Sequence, residues 1–307
     1  MMTPNYKKMR HLIIIFLLGA GIFSCEDVVD IDVDDAPALL VVDAFLNNKA
    51  EAQTIKLRRS QTYFDANSTP GVTGAEIGVL SSTGEVFIFE DQGNGDYVWE
   101  PDTRPSLGEV GDDFNLGIEL DGKTYLSFSP LNRVPPIDSI TQVFEEETSF
   151  NEASIDCNFF SRDPVGTNDT YWIKTFKNDE FLGKPLEMNF AYDAGFSPGA
   201  EVDGLIFIPP IRDNMNPVLD DVEAGEKFPS PWAVGDTARV EIHSISLEVF
   251  FFLSVARDEL LNSLNGIFAE PVSNTQGNVF SSDENEEVLG VFVVSAISEL
   301  EYEIQEP

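Results

Sequence analysis

The scarcity of histidine limits the chemistry that this sequence can support. The 307 residues contain two histidines, and only His243 lies beyond the apolar leader at the start of the chain. One histidine nearly excludes a multi-histidine zinc site, and any histidine-based triad would have to use His243. No Gly-x-Ser-x-Gly, phosphate-binding loop or dinucleotide fingerprint is present. The alternation around His243 indicates an ordinary surface or half-buried histidine on a strand.

Four aspartates near the start of the chain resemble the opening of a calcium-binding EF-hand loop. They are Asp30, Asp32, Asp34 and Asp35. The sixth position is Asp35 where the loop needs glycine, and the twelfth is Val41 where it needs glutamate. These two departures exclude an EF-hand. We interpret the segment as a solvated acidic tether, with an adventitious calcium site as the alternative.

The remaining acidic groups do not define a reactive pair. Residues 91–96 are predicted to form a hairpin turn and residues 283–287 a solvated loop. Glycoside hydrolysis needs two carboxylates about 5–10 Å apart, and nothing selects such a pair among the 54 acidic residues. The sequence therefore assigns no catalytic residue, no metal ligand and no cofactor.

Aromatic and sulfur side chains offer binding or redox roles. Trp99 and Trp172 lie in strand-like segments and are predicted to be core residues. Trp232 lies in a proline-rich stretch, residues 209–235, that predicts a long loop, so it is the best candidate for an exposed ligand contact. Cys157 lies in an alternating run and is predicted to be a buried small hydrophobe.

The first 25 residues have the plan of a bacterial lipoprotein signal peptide. Three basic residues precede an apolar run that is shorter than the roughly 20 residues needed to span a bilayer. Ile22-Phe23-Ser24-Cys25 resembles a lipobox. It predicts a signal peptide over residues 1–24, lipid attachment at Cys25 and an acidic tether over 25–37. The alternative is an ordinary secretory signal that ends near a cysteine.

The charge balance constrains the partners. The chain has 18 basic and 54 acidic residues, a formal charge of −36. Removing the signal peptide takes away three basic residues and no acidic ones, which leaves 15 against 54 and a charge of −39. Such a surface repels nucleic acid and anionic lipid headgroups. Membrane attachment is therefore predicted to be covalent, through the lipid on Cys25.

The pattern of segments predicts a mainly β protein with two domains. Seven short strands with regular turns, including Ser82-Thr83-Gly84 and Asp121-Gly122, predict an immunoglobulin- or transthyretin-like β-sandwich over residues 38–129. Residues 130–136 read as a proline-rich linker. Residues 137–307 are predicted to form a second β-rich domain with one packed α-helix near residues 246–264.

Several short motifs, in order along the mature chain, carry a resemblance to a known family. They are Leu39-Leu40-Val41-Val42-Asp43, Gly74-Ala75-Glu76-Ile77, Val134-Pro135-Pro136-Ile137-Asp138-Ser139-Ile140, Asp163-Pro164 before Tyr171-Trp172, and Pro271 to Asn278 followed by Val288-Leu289-Gly290-Val291-Phe292. Together they resemble a Bacteroidota lipoprotein family known as domain of unknown function 4249. Val291 departs from the pattern, since an aromatic residue is more usual there.

The resemblance implies an outer-membrane lipoprotein that is commonly encoded beside a TonB-dependent receptor. It implies no activity, and it carries over only the lipidated Cys25. Glu26 and Asp27 resemble an export signal to the cell surface. We therefore expect a non-enzymatic accessory protein that is lipid-anchored in the outer membrane, exposed at the cell surface and associated with an outer-membrane transporter. The alternatives are a stand-alone glycan- or protein-binding adhesion module and a hydrolase with an unrecognised carboxylate pair.

Overall fold

Short alternating segments of the sequence form strands in the computed structural model, which describes residues 38–61, 69–101, 103–149, 152–166, 168–219, 230–263 and 275–307. Cys25, the predicted signal peptide (residues 1–24) and the predicted acidic tether (residues 25–37) lie outside the described residues. The described residues form sixteen strands and two α-helices. The strands are β1 (Leu40–Asn47), β2 (Gln53–Arg59), β3 (Glu76–Ser81), β4 (Val86–Asp91), β5 (Asp96–Trp99), β6 (Asp113–Leu120), β7 (Lys123–Pro130), β8 (Ile137–Glu145), β9 (Ser154–Ser161), β10 (Thr170–Lys177), β11 (Glu180–Phe181), β12 (Asn189–Tyr192), β13 (Thr237–Ile245), β14 (Val279–Ser281), β15 (Val288–Ser295) and β16 (Ile297–Glu303), and the helices are α1 (Pro209–Asp213) and α2 (Leu247–Ser263).

The largest element is a nine-stranded sheet with the order β14-β7-β6-β3-β4-β5-β2-β1-β15. Strand β1 shows why these segments form strands. Leu40, Val42, Ala44 and Leu46 are buried, and the residues between them are half-buried or exposed. This period of two places every second side chain in one core. Neighbouring strands run antiparallel except β1 and β15, which are parallel.

Both predicted hairpin turns are present. Asp121 and Gly122 join β6 to β7 and have φ angles of 52° and 76°. Two consecutive positive φ angles are the geometry of a type I′ turn, which matches the twist of the flanking strands. Gly84, with φ at 88°, lies in the turn between β3 and β4.

The two edges of the nine-stranded sheet meet, so the sheet is nearly closed. The amide side chain of Asn278 accepts a hydrogen bond from Phe292 N–H and donates one to Phe292 C=O, each at 2.8 Å. On β7, Ser129 Oγ accepts a hydrogen bond from Val294 N–H at 2.9 Å. At this edge, hydrogen bonds from side chains therefore join strands that backbone hydrogen bonds join elsewhere in the sheet. We call these contacts of Asn278 and Ser129 the seam.

The mainly β prediction is confirmed, but the immunoglobulin- or transthyretin-like sandwich is not. Residues 38–129 supply seven strands of the large sheet, and β14 and β15 from the C-terminal part complete it. The alternating pattern identified the strands. It contained no signal for the pairing of β1 with β15, because that contact joins segments that are far apart in the sequence.

A second sheet and one helix cover the rest of the chain. Strands β11, β10, β13 and β16 are paired in that order, β12 also pairs with β10, and β8 pairs with β9. Helix α2 corresponds to the predicted helix, and Ser246 Oγ accepts a hydrogen bond from Val249 N–H at its start, at 3.3 Å. Its buried face includes Val249, Phe250 and Leu253. No helix in the described part of the chain is long and apolar enough to cross a membrane.

The predicted linker at residues 130–136 is packed into the structure. Val134 contacts the cores of both sheets. Asn132 Nδ2 donates a hydrogen bond to Ile245 C=O at 3.2 Å. Residues 38–307 form one compact unit. The side chains of Val134 and Asn132 are therefore held by contacts with neighbouring elements.

Candidate binding surface

The outer face of the large sheet exposes apolar side chains where alternation predicts polar ones. Ile88, on β4, is 60% exposed although it lies in the middle of a regular strand. Four further large apolar side chains on the same face are exposed: Leu80, Val86, Leu126 and Phe128. Contiguous exposed apolar surface is uncommon on soluble proteins and marks interaction sites. This face is therefore the strongest candidate for a functional site in the described part of the chain.

The strand register arranges this surface in rows. One row crosses five strands and contains Ile88, Gly78, Gly117, Leu126 and Phe280, each directly paired with the next. We call it the glycine row. Gly78 and Gly117 have no side chain and line a groove of about 650 Å³, with Ile88 and Leu126 on either side of them. A rigid sheet holds this groove in place without any ligand.

An acidic pair borders the glycine row. Glu76 on β3 and Glu119 on β6 lie directly opposite each other, two residues along their strands from the glycines. Glu119 Oε1 accepts a hydrogen bond from the Thr124 hydroxyl at 2.7 Å. Like charges placed opposite each other across two strands destabilise a sheet. The acidic pair therefore lowers the stability of the sheet. After the exposed apolar side chains, it is a second feature of this face that folding alone does not explain.

The apolar surface continues towards helix α2. Phe280, the last member of the glycine row, also lines a second concavity of about 530 Å³. Phe251 and Val255 of α2 line the same concavity, and both are exposed. The exposed apolar surface therefore extends from the sheet to one face of the helix.

Sequence reasoning missed this surface, although one signal for it was present. Val86-Phe87-Ile88-Phe89 is a continuous apolar run, with Phe87 and Phe89 buried and the other two exposed. Such a run is typical of a strand that is covered on both faces. One face of β4 is covered by the core of this chain, and the other is exposed to solvent.

The comparisons with known proteins identify the family. A family model described as Domain of unknown function (DUF4249) matches residues 26–301. The chain belongs to this family. No curated protein and no solved structure matches it. The match confirms the family that the sequence motifs suggested, and the family description contains no activity.

The exposed position predicted for Trp232 in this DUF4249 protein is wrong. Its side chain is 0% exposed, and its indole N–H donates a hydrogen bond to Asn216 Oδ1 at 2.8 Å. Asn216 also bonds both backbone groups of Cys157, at 2.7 and 3.0 Å. Helix α1 interrupts the predicted loop at its start, and Trp232 packs in the core of the second sheet. The ring is therefore not available for stacking on a ligand.

The other tryptophans and Cys157 have packing roles. Trp99 is buried, with its ring edge-to-face against Phe87, as predicted for a core residue. Trp172 is half-buried, and its ring packs against Phe45 at a centroid distance of 5.3 Å. Burial raises the pKa of the Cys157 thiol to about 12, so it stays protonated and unreactive. The prediction that Cys157 is a buried small hydrophobe is confirmed.

His243 is more buried than its sequence pattern indicated. Its side chain is buried, and Nε2 lies 2.8 Å from Glu241 Oε2. Burial lowers the pKa of His243 to about 4, so the ring is neutral at pH 7 and its Nε2–H donates to the carboxylate. Lys174 faces the same pair across β10 and β13, and burial lowers its pKa to about 8. This group is a buried polar network that holds strands together.

Three aspartates of the DUF4249 protein converge beside Arg133, which lies in the predicted linker, residues 130–136. The carboxylates of Asp163, Asp169 and Asp193 lie within 4.8 Å of one another. Arg133 Nε donates hydrogen bonds to both oxygens of Asp169 at 3.0 and 3.1 Å, and the Tyr171 hydroxyl donates to Asp163 at 2.8 Å. Burial, with the charges of the other two aspartates, raises the pKa of Asp163. Arg133 supplies the positive charge that this cluster needs, which is a stabilising role.

Proposed function

We propose that this DUF4249 protein is a lipid-anchored accessory protein of the outer membrane. In this proposal it is exposed at the cell surface, works with a TonB-dependent transporter and catalyses no reaction. The lipobox-like sequence that ends in Cys25 supports the anchor, and the acidic residues after it support export. The formal charge of the mature chain argues against attachment by electrostatic attraction to anionic lipid.

The observation that carries the binding role is the glycine row with its apolar walls. Exposed apolar surface lowers solubility, and an opposed acidic pair and two glycines in strand interiors weaken a sheet. Local departures from good sheet-forming sequence are expected where function requires them. Their coincidence on one rigid face supports a surface that is covered by a partner.

The state of the titratable groups favours binding over catalysis. Among the described residues that the sequence offered for chemistry, Cys157 is a buried protonated thiol and His243 a buried neutral imidazole. Trp232 is enclosed by the core. These groups are used to hold the fold together, whereas the groove that is open to solvent is lined mostly by aliphatic side chains and backbone.

Purification from membranes tests the proposal. The full chain is expressed with a C-terminal tag in a bacterium that lipidates it, the outer membrane is separated, and the protein is recovered in mild detergent. We expect a TonB-dependent transporter to be recovered with the wild type, and the Ile88→Thr and Leu126→Thr double variant to recover less of it. Val234→Thr, which changes an exposed apolar residue elsewhere, is the matched control.

Three outcomes contradict the proposal. Recovery of the lipidated protein without any transporter removes the partnership. Equal recovery of the transporter with the wild type and the double variant removes the assigned surface. A soluble pool of mature wild-type protein, with none in the outer membrane, removes the anchor.

A further inference from the structure

The two glycines at the centre of the glycine row are not required by the fold. Neither Gly78 nor Gly117 has a positive φ angle. A Cβ built on Gly78 would lie 3.7 Å from its nearest neighbour, Ile88 Cδ1, and one on Gly117 would lie 4.0 Å from Gly78 O. These are ordinary van der Waals distances. By contrast, a Cβ on Gly277 or Gly290 would lie within 2 Å of a backbone oxygen.

Two glycines that the fold does not need still weaken it, because glycine gains conformational entropy in the unfolded chain and packs no side chain in a strand. Gly78 and Gly117 are paired directly, so together they leave a patch of bare backbone. Ile88 and Leu126 stand at its two ends, three strand spacings or about 14 Å apart. Bare strand backbone is a feature of sites where a ligand or another chain approaches closely.

The charges around this patch define what can approach it. The acidic pair, Glu76 and Glu119, lies about 7 Å along the strands from the glycines. No lysine or arginine lies among the described outward-facing residues of β3, β4, β6 and β7. Lys123, at the start of β7, has the parity of the inward side chains and pairs with Glu286 at 2.8 Å. An occupant with an apolar group and a nearby positive charge would match both the bare apolar patch and the acidic pair beside it.

Charge also separates the possible occupants. A second copy of this chain would place one acidic pair near another, at a formal charge of −36 for each full chain. The chain's own tether, residues 25–37, is acidic and meets the same repulsion. Anionic headgroups are repelled as well. A basic segment of another protein is the occupant whose charge is complementary.

We infer that Gly78 and Gly117 form the seat for a basic, apolar segment of the partner protein. A large apolar side chain of that segment lies on the bare backbone between Ile88 and Leu126. A lysine or arginine about 7 Å away, the spacing of residues i and i+2 in an extended chain, pairs with Glu76 and Glu119. This inference rests on the proposed function and specifies the chemistry of the partner.

A peptide-binding experiment tests the seat. The probe is a synthetic peptide that repeats Leu-Ser-Lys-Ser, which places leucine and lysine at i and i+2 on one face of an extended chain, and the reference peptide has glutamate in place of lysine. The protein is the mature chain from residue 25 with Cys25→Ser, which carries no lipid. We expect the basic peptide to bind, the acidic peptide not to bind, and the affinity for the basic peptide to fall as salt is added.

Substitutions distinguish a seat from a structural role. The Gly78→Ala and Gly117→Ala double variant should unfold in urea at the wild-type midpoint or higher, yet bind the basic peptide about tenfold more weakly. The Glu76→Gln and Glu119→Gln double variant should bind more weakly and with less dependence on salt. Thr54→Ala, a half-buried position on β2 of the same sheet, is the control and should leave the affinity unchanged.

Four results overturn the inference. They are no binding of the basic peptide, equal binding of the acidic peptide, wild-type affinity in the glycine double variant, and a clear loss of stability in that variant. A dimer seen by sedimentation that the glycine substitutions abolish would assign the surface to a second copy, and binding to zwitterionic vesicles without peptide binding would assign it to lipid. If any of these occurs while the transporter is still recovered from membranes, the proposed function stands and only the seat is removed.

Discussion

From the hydrogen bonds of the seam, we predict that the Asn278 side chain makes a large contribution to the free energy of unfolding. Asn278 is buried, and its side chain bonds both the N–H and the C=O of Phe292 at 2.8 Å. Asn278→Ala removes both bonds and leaves two backbone groups of β15 without partners in a buried position. Each buried unsatisfied group costs about 1–3 kcal/mol, so we expect the free energy of unfolding to fall by about 3 kcal/mol.

The measurement is urea unfolding followed by tryptophan fluorescence, with amide hydrogen exchange at Phe292 as a local readout. We expect a lower midpoint and faster exchange at Phe292, with β3 and β4 unaffected under native conditions. Asn285→Ala is the matched control, because Asn285 makes only exposed hydrogen bonds to Asp283 within its loop, and its loss should change the free energy by less than about 0.5 kcal/mol. A loss under about 1 kcal/mol for Asn278→Ala would refute the reasoning that side chains close the sheet.

Three further predictions follow from buried or anchoring groups. Burial lowers the pKa of His243 from its ordinary 6.5 to about 4, so its contribution to stability is fully present above pH 6.5 and is lost as the pH falls towards 4. The loss is about 3 kcal/mol. Urea unfolding at several pH values measures it, and the free energy of unfolding of His243→Gln should change less between pH 6.5 and 4 than that of the wild type. An equal change in both proteins would mean that another group causes the loss. Glu241, whose pKa is lowered to about 2 by the hydrogen bond from His243 against the effect of burial, adds a further loss only below about pH 4.5. Tyr171→Phe removes the hydroxyl that donates to buried Asp163 and should lower the free energy of unfolding by about 1.5–3 kcal/mol in the same assay, whereas a neutral result would show that the carboxyl is protonated or finds another donor. Cys25→Ala should abolish labelling by palmitate and shift the protein from the membrane pellet to the soluble fraction, and persistence in the pellet would disprove the lipid anchor.

Local patterns predicted local structure well. Strand β1 and the hairpin at Asp121-Gly122 follow from alternation and from two residues that tolerate positive φ. Helix α2 follows from a change of period after Ser246, which caps it. The burial of Cys157 follows from the alternating run around it. In each case the deciding interactions join residues close in the sequence.

The position of Trp232 and the exposed surface were not predictable in this way. The proline-rich stretch around Trp232 predicts a loop, but the side chain of Asn216 and the core of the second sheet hold the ring inside. The apolar residues of β4 predict burial on both faces, but the chain covers only one of them. Whether a loop residue or a strand face meets water depends on which distant segment packs over it.

The sequence by itself determined the strands, their hairpins, the packed helix and a strongly acidic surface, because each depends on residue type and short-range spacing. The tertiary structure decided that β15 pairs with β1, that Asn278 and Ser129 close the sheet, and that Gly78 meets Gly117 beneath Ile88 and Leu126. These contacts depend on the register between strands that are distant in the chain. Register selects which side chains share a row, and the candidate binding surface is the product of that selection.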